Sequence, residues 1–113
     1  MYTYKIKEVI RVIDGDTLVI TIDLGFNLAL TQPIRIKGIN SPEMRSSNPQ
    51  EKVLALAAKT FVEGWLQGKA LLITTTKDDK YGRILGDIIC DKTKENLSDV
   101  MITAGHAKVY ILK

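Results

Sequence analysis

The sequence predicts a mainly β domain with two helices, on three observations. Stretches in the first third of the chain and between residues 70 and 90 are rich in β-formers and alternate apolar with polar residues. One long segment between them carries apolar residues at three- and four-residue spacing, and a shorter helical segment follows near residue 100. The resulting order, β-β-β-α-β-β-α, with a long helix between the third and fourth strands, is what a five-stranded OB-fold Greek-key barrel requires. Pattern alone leaves other arrangements of five strands open.

The elements follow in order. Tyr4 to Ile13 is the first strand, and Asp14-Gly15 is a tight turn, a pair favoured where φ > 0 is needed. Thr17 to Asp23 places Leu18, Ile20 and Ile22 on one face and Thr17, Val19 and Thr21 on the other, and Leu24-Gly25 is expected to break it. A third strand, from about Leu28 to Ile39, sets Ile34 and Ile36 against Arg35 and Lys37, and Pro33 argues that its early part lies at an edge or bulge. Ser41-Pro42-Glu43 resembles a helix start that Ser46-Ser47-Asn48-Pro49 cuts short. The sustained helix runs from about Gln50 to Gln67, with Leu54, Ala57, Ala58, Phe61, Trp65 and Leu66 as its apolar stripe and Gly68 as its stop. Ala70 to Thr76 is the fourth strand, Lys77 to Gly82 a polar loop and Ile84 to Cys90 the fifth strand. A short helix from Asn96 or Ser98 to Ala104 ends at Gly105.

The length of 113 residues suits one domain, taken as residues 1–113. With 45% hydrophobic and 26% charged residues the composition is that of a soluble globular chain, and no stretch approaches the ~20 apolar residues of a membrane span. The N-terminus lacks the features of a secretory signal, and Cys90, the single cysteine, excludes an intrachain disulfide and a cysteine zinc cluster. A cytoplasmic monomer is expected. The formal charge of +3 is a mild excess, compatible with a phosphate-rich partner without demanding one.

Four segments hold side chains with chemistry. In Ile13-Asp14-Gly15-Asp16-Thr17, a hairpin turn is the plain reading, and Asp16 at the start of a rigid strand offers a carboxylate to a hard cation. In Arg35 and Asn40-Ser41-Pro42-Glu43, a surface arginine and a helix cap compete with a phosphate ligand, two oxygen donors and a carboxylate for a water molecule. Asp79-Lys80-Tyr81-Gly82-Arg83 holds a second guanidinium fork for phosphate oxygens, with Lys80 and Tyr81 placed to hold a neighbouring phosphate and stack on a base. Gly105-His106-Ala107-Lys108-Val109 reads as structural, because a lone histidine supports neither a triad nor a zinc site. Trp65 reads as core.

Taken in order and at these intervals, Ile-Asp-Gly-Asp-Thr, the strand arginine, Asn-Ser-Pro-Glu, Asp-Lys-Tyr-Gly-Arg and Gly-His-Ala-Lys-Val resemble the staphylococcal nuclease family, from about Lys5 to Tyr110. The resemblance implies an OB barrel that uses calcium to hydrolyse DNA and RNA phosphodiesters, leaving 3′-phosphates, and the expected partner is DNA or RNA that is single-stranded or locally unpaired. By position it makes Asp16, Asn40 and Ser41 (through its carbonyl) metal ligands, with Asp14 behind them. Glu43 becomes the general base, Arg35 and Arg83 the phosphate clamp, and Lys80 and Tyr81 the contacts to the adjacent nucleotide. Two departures stand out. Asn40 takes the place of a family aspartate, which removes one charge from the metal site, and the family's C-terminal aromatic pair is not in register, Tyr110 preceding Ile111 and Leu112. An impaired barrel that binds single-stranded nucleic acid without cutting it is the alternative.

Overall fold

The computed structural model of the protein describes residues 2–78 and 83–110. Strands β1 (Tyr2–Asp14), β2 (Thr17–Gly25), β3 (Leu28–Ile36), β5 (Leu71–Asp78) and β6 (Ile84–Cys90) close a barrel in the order β1-β2-β3-β6-β5. Neighbours pair antiparallel except β3 and β6, which meet in parallel over Ile34–Ile36 and close the ring. A two-stranded ladder joins β4 (Ile39–Asn40) to β7 (Lys108–Val109), and helices α1 (Pro49–Leu66) and α2 (Leu97–Thr103) complete the chain. The OB-type barrel expected from the element order is therefore what forms.

Alternation explains the interior. Leu18, Ile20, Ile34, Ile36, Ile73 and Ile88 are fully buried inside the barrel and meet Val62 of α1 with Leu97 and Met101 of α2. Each such side chain contributes roughly 1.5–3 kcal/mol of hydrophobic stabilisation before entropy is counted. Thr17 and Val19, on the outward face of β2, are buried as well, opposite Arg35 and Pro33 of β3. Pro33 sits where β3 has β2 on one side and has not yet reached β6, the edge position its missing N–H suits.

Several expectations need correction. β2 does not break at Leu24-Gly25 but runs through Gly25, and the chain reverses at Phe26-Asn27, both at positive φ (55° and 64°). β3 ends at Ile36 because Gly38, at φ 84°, turns the backbone before Ile39. Ser41-Pro42-Glu43 starts no helix; its backbone groups bond to Asp16 and Glu51 instead. Ala70 precedes the strand, which begins at Leu71 and continues through Asp78, so the polar loop begins later than Lys77.

Helix α1 begins at Pro49, with Asn48 Oδ1 capping the Gln50 and Glu51 amides at 2.9 and 3.4 Å. Its buried stripe is Ala55, Ala58, Val62 and Leu66, whereas Leu54 and Ala57 of the expected stripe face solvent. Phe61 and Trp65 pack half-buried along its margin. Size, more than hydrophobicity, chose the face. The helix passes so close to the β1–β2 turn that a Cβ on Gly15 would lie 3.0 Å from the Ala58 Cβ, and a larger residue at 58 has no room.

Candidate functional site

The site grows from the β1–β2 turn. Gly15 is not needed there for positive φ, contrary to the expectation for Asp-Gly, since its φ is ordinary. It is needed for space: a Cβ would meet Ala58, Met101 and Ser41 Oγ, each at 3.0 Å. That tight seat fixes the next residue, Asp16, whose carbonyl accepts from the Ile36 amide at 2.8 Å and ties the turn to the end of β3.

The Asp16 carboxylate is buried and well supplied with donors. Oδ1 accepts from the Thr17 hydroxyl at 2.9 Å, Oδ2 accepts from the Ser41 amide at 2.9 Å, and the Arg35 Nη1 lies 3.5 Å from Oδ2. A buried charge without such partners would be costly, so this pairing lets the site keep an anion. Arg35 also donates from Nη1 to the Ile36 carbonyl at 2.8 Å, and the Tyr110 ring lies 6.0 Å from its guanidinium carbon. Asp16, Arg35 and Ser41, far apart in sequence, are thus one constellation.

The other candidates fall around it. Asp14 Oδ1 accepts from the Met44 amide at 2.8 Å, which anchors the segment directly after Glu43. Glu43 itself is exposed, its amide donating to Glu51 Oε1 at 3.4 Å and its carbonyl accepting from Ser46 at 3.2 Å; its backbone is held while its carboxylate faces solvent. Asn40 is exposed in β4, opposite Lys108 of β7. Arg83, half-buried, directly precedes β6 and stands two residues before Leu85, the parallel partner of Arg35. Lys80 and Tyr81 lie outside the described residues.

The oxygens at this turn are those of the Asp16 carboxylate and of Ser41, and Asn40 directly precedes Ser41 in the chain. Such a set suits a hard cation such as calcium and leaves softer metals unserved. Ser41 Oγ is buried beside them with no hydrogen-bond partner among the described residues, an orphaned polar atom of the kind a bound ion or water satisfies. No group of three or more His, Cys, Asp or Glu gathers among the described residues.

Two participants escaped the reading of the sequence. The β4–β7 ladder pairs Ile39 with Val109 and Asn40 with Lys108, and the Tyr110 amide donates to the Gly38 carbonyl at 2.9 Å. Two-residue strands are too short to carry periodicity, so only the β-branched Ile39 and Val109 hinted at them. His106 is structural as expected, its ring 4.7 Å from that of Phe61. A groove of about 370 Å³ opens elsewhere, between Ile6–Val12 of β1 and the end of α1. No candidate residue lines it, whereas charge and burial coincide at the Asp16 turn.

The chain is 41% identical over 64 residues to a probable staphylococcal-like nuclease of Oryza sativa subsp. japonica, an alignment covering 57% of this chain and 18% of that protein. It is 32% identical over 83 residues to Protein ParB of Escherichia coli, covering 72% and 40% of the two chains. It is 32% identical over 85 residues to a probable endonuclease of Schizosaccharomyces pombe, covering 71% and 37%. The chain therefore spans less than half the length of these curated relatives. No helix among the described residues is long and apolar enough to cross a membrane. The family model described as staphylococcal nuclease homologue matches residues 33–113, which include Arg35, Asn40, Ser41, Glu43 and Arg83 but not Asp16. The barrel, the arginine seated against Asp16 and a match over most of its length together make this chain a member of the staphylococcal nuclease homologue family.

Proposed function

We propose that this domain is a calcium-dependent nuclease that hydrolyses phosphodiester bonds of DNA or RNA, leaves 3′-phosphates and works with a weakened metal site. The observation that carries the reading is the buried Asp16 carboxylate joined to Ser41 and Arg35 at one end of the barrel. A phosphodiester resists attack because its negative charge repels hydroxide. Calcium, held by Asp16, Asn40 and Ser41, would supply positive charge beside the phosphate.

The chain's own groups do the rest. Arg35 and Arg83 bind the phosphate oxygens and offset the charge that grows on them as the attacking oxygen adds, a donor arrangement that usually supplies the largest catalytic term. Glu43, exposed next to the anchored Met44, takes the proton from the attacking water. Lys80 and Tyr81 hold the neighbouring nucleotide. An exposed Glu43 and a tail exposed around Asn40 leave room for an extended strand, which supports single-stranded or locally unpaired substrate.

One observation favours a second reading. With no group of three or more acidic, His or Cys ligands among the described residues and with Asn40, not an aspartate, beside Ser41, the domain would fit a binder of single-stranded nucleic acid that no longer cuts. Incubating labelled single-stranded DNA and RNA with the protein, in calcium and in chelator, separates the two. The nuclease reading expects cleavage with calcium, none with chelator, and 3′-phosphate ends on the products. Binding without cleavage under every condition selects the binder, and cleavage indifferent to chelator removes the metal from the scheme.

A further inference from the structure

The end of the barrel away from Asp16 is unlike the rest of the surface. From Leu24 to Ile34 the chain runs eleven residues without a charge, in a protein that is 26% charged. Within that run Phe26 is 97% exposed and Leu28 60%, with Leu24 and Leu30 more than a third exposed. Phe26 forms the hairpin tip with Asn27 at positive φ, a turn that favours Asn-Gly and disfavours a bulky ring. Local turn preference therefore gives no reason for a phenylalanine here.

The hairpin also leaves a strand edge open. β3 meets β6 only from Ile34 onward, so among the described residues no strand pairs with the outer edge of Leu28–Pro33. Leu30 stands opposite Ile22, which is 2% exposed and part of the core, so Leu28 and Leu30 continue the core face of the sheet past the end of the barrel. The outward face carries Thr31 instead, its hydroxyl 2.8 Å from that of Thr21. Proteins ordinarily blunt an exposed apolar edge with lysine, proline or a bulge. This edge has only Pro33, at its far end.

In place of the monomer expected from the sequence, we propose that this edge is an interface for a second copy of the chain. β3 of one protomer pairs antiparallel with β3 of its partner about a two-fold axis near Leu30, continuing the sheet across the pair. Three features select a copy over another occupant. A two-fold near Leu30 sets Leu30 beside its own equivalent and pairs Leu28 with Gln32, so the run meets itself, and it holds no charge to be repelled or left unpaired there. An antiparallel pairing of β3 with itself is self-complementary, and Pro33 marks its limit on both protomers. The area is also in range. Phe26 alone offers roughly 150–250 Å², and with the three leucines doubled by symmetry the apolar contact approaches the ~1,000 Å² a specific interface needs.

The proposal is independent of the nuclease reading, since Thr17–Gly25 extends roughly 25–30 Å from the Asp16 turn to the tip at ~3.3 Å per residue. Sedimentation equilibrium of the full chain tests it, with the parent expected to reach twice the 12.6 kDa of one chain at concentrations of about 10⁻⁵–10⁻⁴ M. Leu28→Lys puts a charge into the shared apolar edge and should weaken the dimer at least about tenfold, and Phe26→Asn should weaken it less. Phe26→Asn is expected to fold at least as well as the parent because asparagine accepts its φ, which keeps the test open if the lysine variant misfolds. A parent that stays monomeric through that range overturns the proposal, as does a dimer that neither variant weakens. Neutral phosphatidylcholine vesicles that capture a monomeric parent but not Phe26→Asn would assign the tip to lipid instead.

Discussion

The two turns at the ends of β2 solve opposite problems with the same number of residues. At one end, Gly15-Asp16 keeps ordinary dihedrals, packs against Ala58, Met101 and Ser41, and buries a carboxylate held by Thr17, Ser41 and Arg35. At the other, Phe26-Asn27 adopts positive φ in open space, with an aromatic side chain that is 97% exposed. The first turn is determined by its neighbours and the second by nothing but its own two strands. A turn that its surroundings enforce can hold a charge at a fixed place; a turn left to itself can only present a surface.

The largest effect should come from the enforced end. Arg35→Lys keeps a positive charge near Asp16 but loses the fork that grips two phosphate oxygens, so cleavage should fall roughly 10²–10³-fold while the thermal midpoint barely moves. Arg83→Lys should act in the same direction. Undiminished turnover in either variant would leave that arginine a structural partner only. Next, Gly15→Ala should lower stability by about 1–3 kcal/mol in urea titration, because three neighbours at 3.0 Å must yield. A neutral result would show that Ala58 and Met101 give way freely, and the contrast between the turns would shrink.

A smaller change is expected from Asn40→Asp, which would add a carboxylate to the proposed cation site. The calcium concentration for half-maximal cleavage should drop about tenfold, worth ~1.4 kcal/mol. An unchanged requirement would mean that position 40 does not face the cation. Smallest of all, Phe26→Asn should raise the stability of the isolated protomer by about 0.5–1 kcal/mol, since asparagine tolerates the left-handed region. Its nuclease activity should match the parent, and a loss of activity would show that the far end of the barrel is not separate from the site.

What the sequence revealed follows the same division. Strand β6 begins and ends where alternation put it, and β2 begins at Thr17, because residues paired on both edges obey the period of two. The Asp-Gly-Asp, Asn-Ser-Pro-Glu and strand-arginine motifs were legible as short strings, and the seat that brings Asp16 to Ser41 and Arg35 was not. That seat depends on empty volume at Gly15 and on small residues at 55 and 58 of α1, and an apolar stripe counts hydrophobicity without weighing size. Leu54 and Ala57 were misplaced for that reason. The Phe26-Asn27 turn was missed because it lacks the glycine that normally advertises positive φ, and Gly25 beside it offered a more ordinary place to stop.

The β4–β7 ladder has a consequence for how the site comes into being. Every described residue assigned to the chemistry has been synthesised once the chain has passed Arg83, yet Asn40 and Gly38 acquire their partners only from Lys108 and Tyr110. The last cross-strand bonds to the Gly38–Asn40 segment therefore span about 70 residues, and such distant closures form late. A nascent domain can hold a finished core and still present an unfastened loop to whatever nucleic acid lies nearby. Its chemistry would switch on when the tail arrives rather than when the barrel closes.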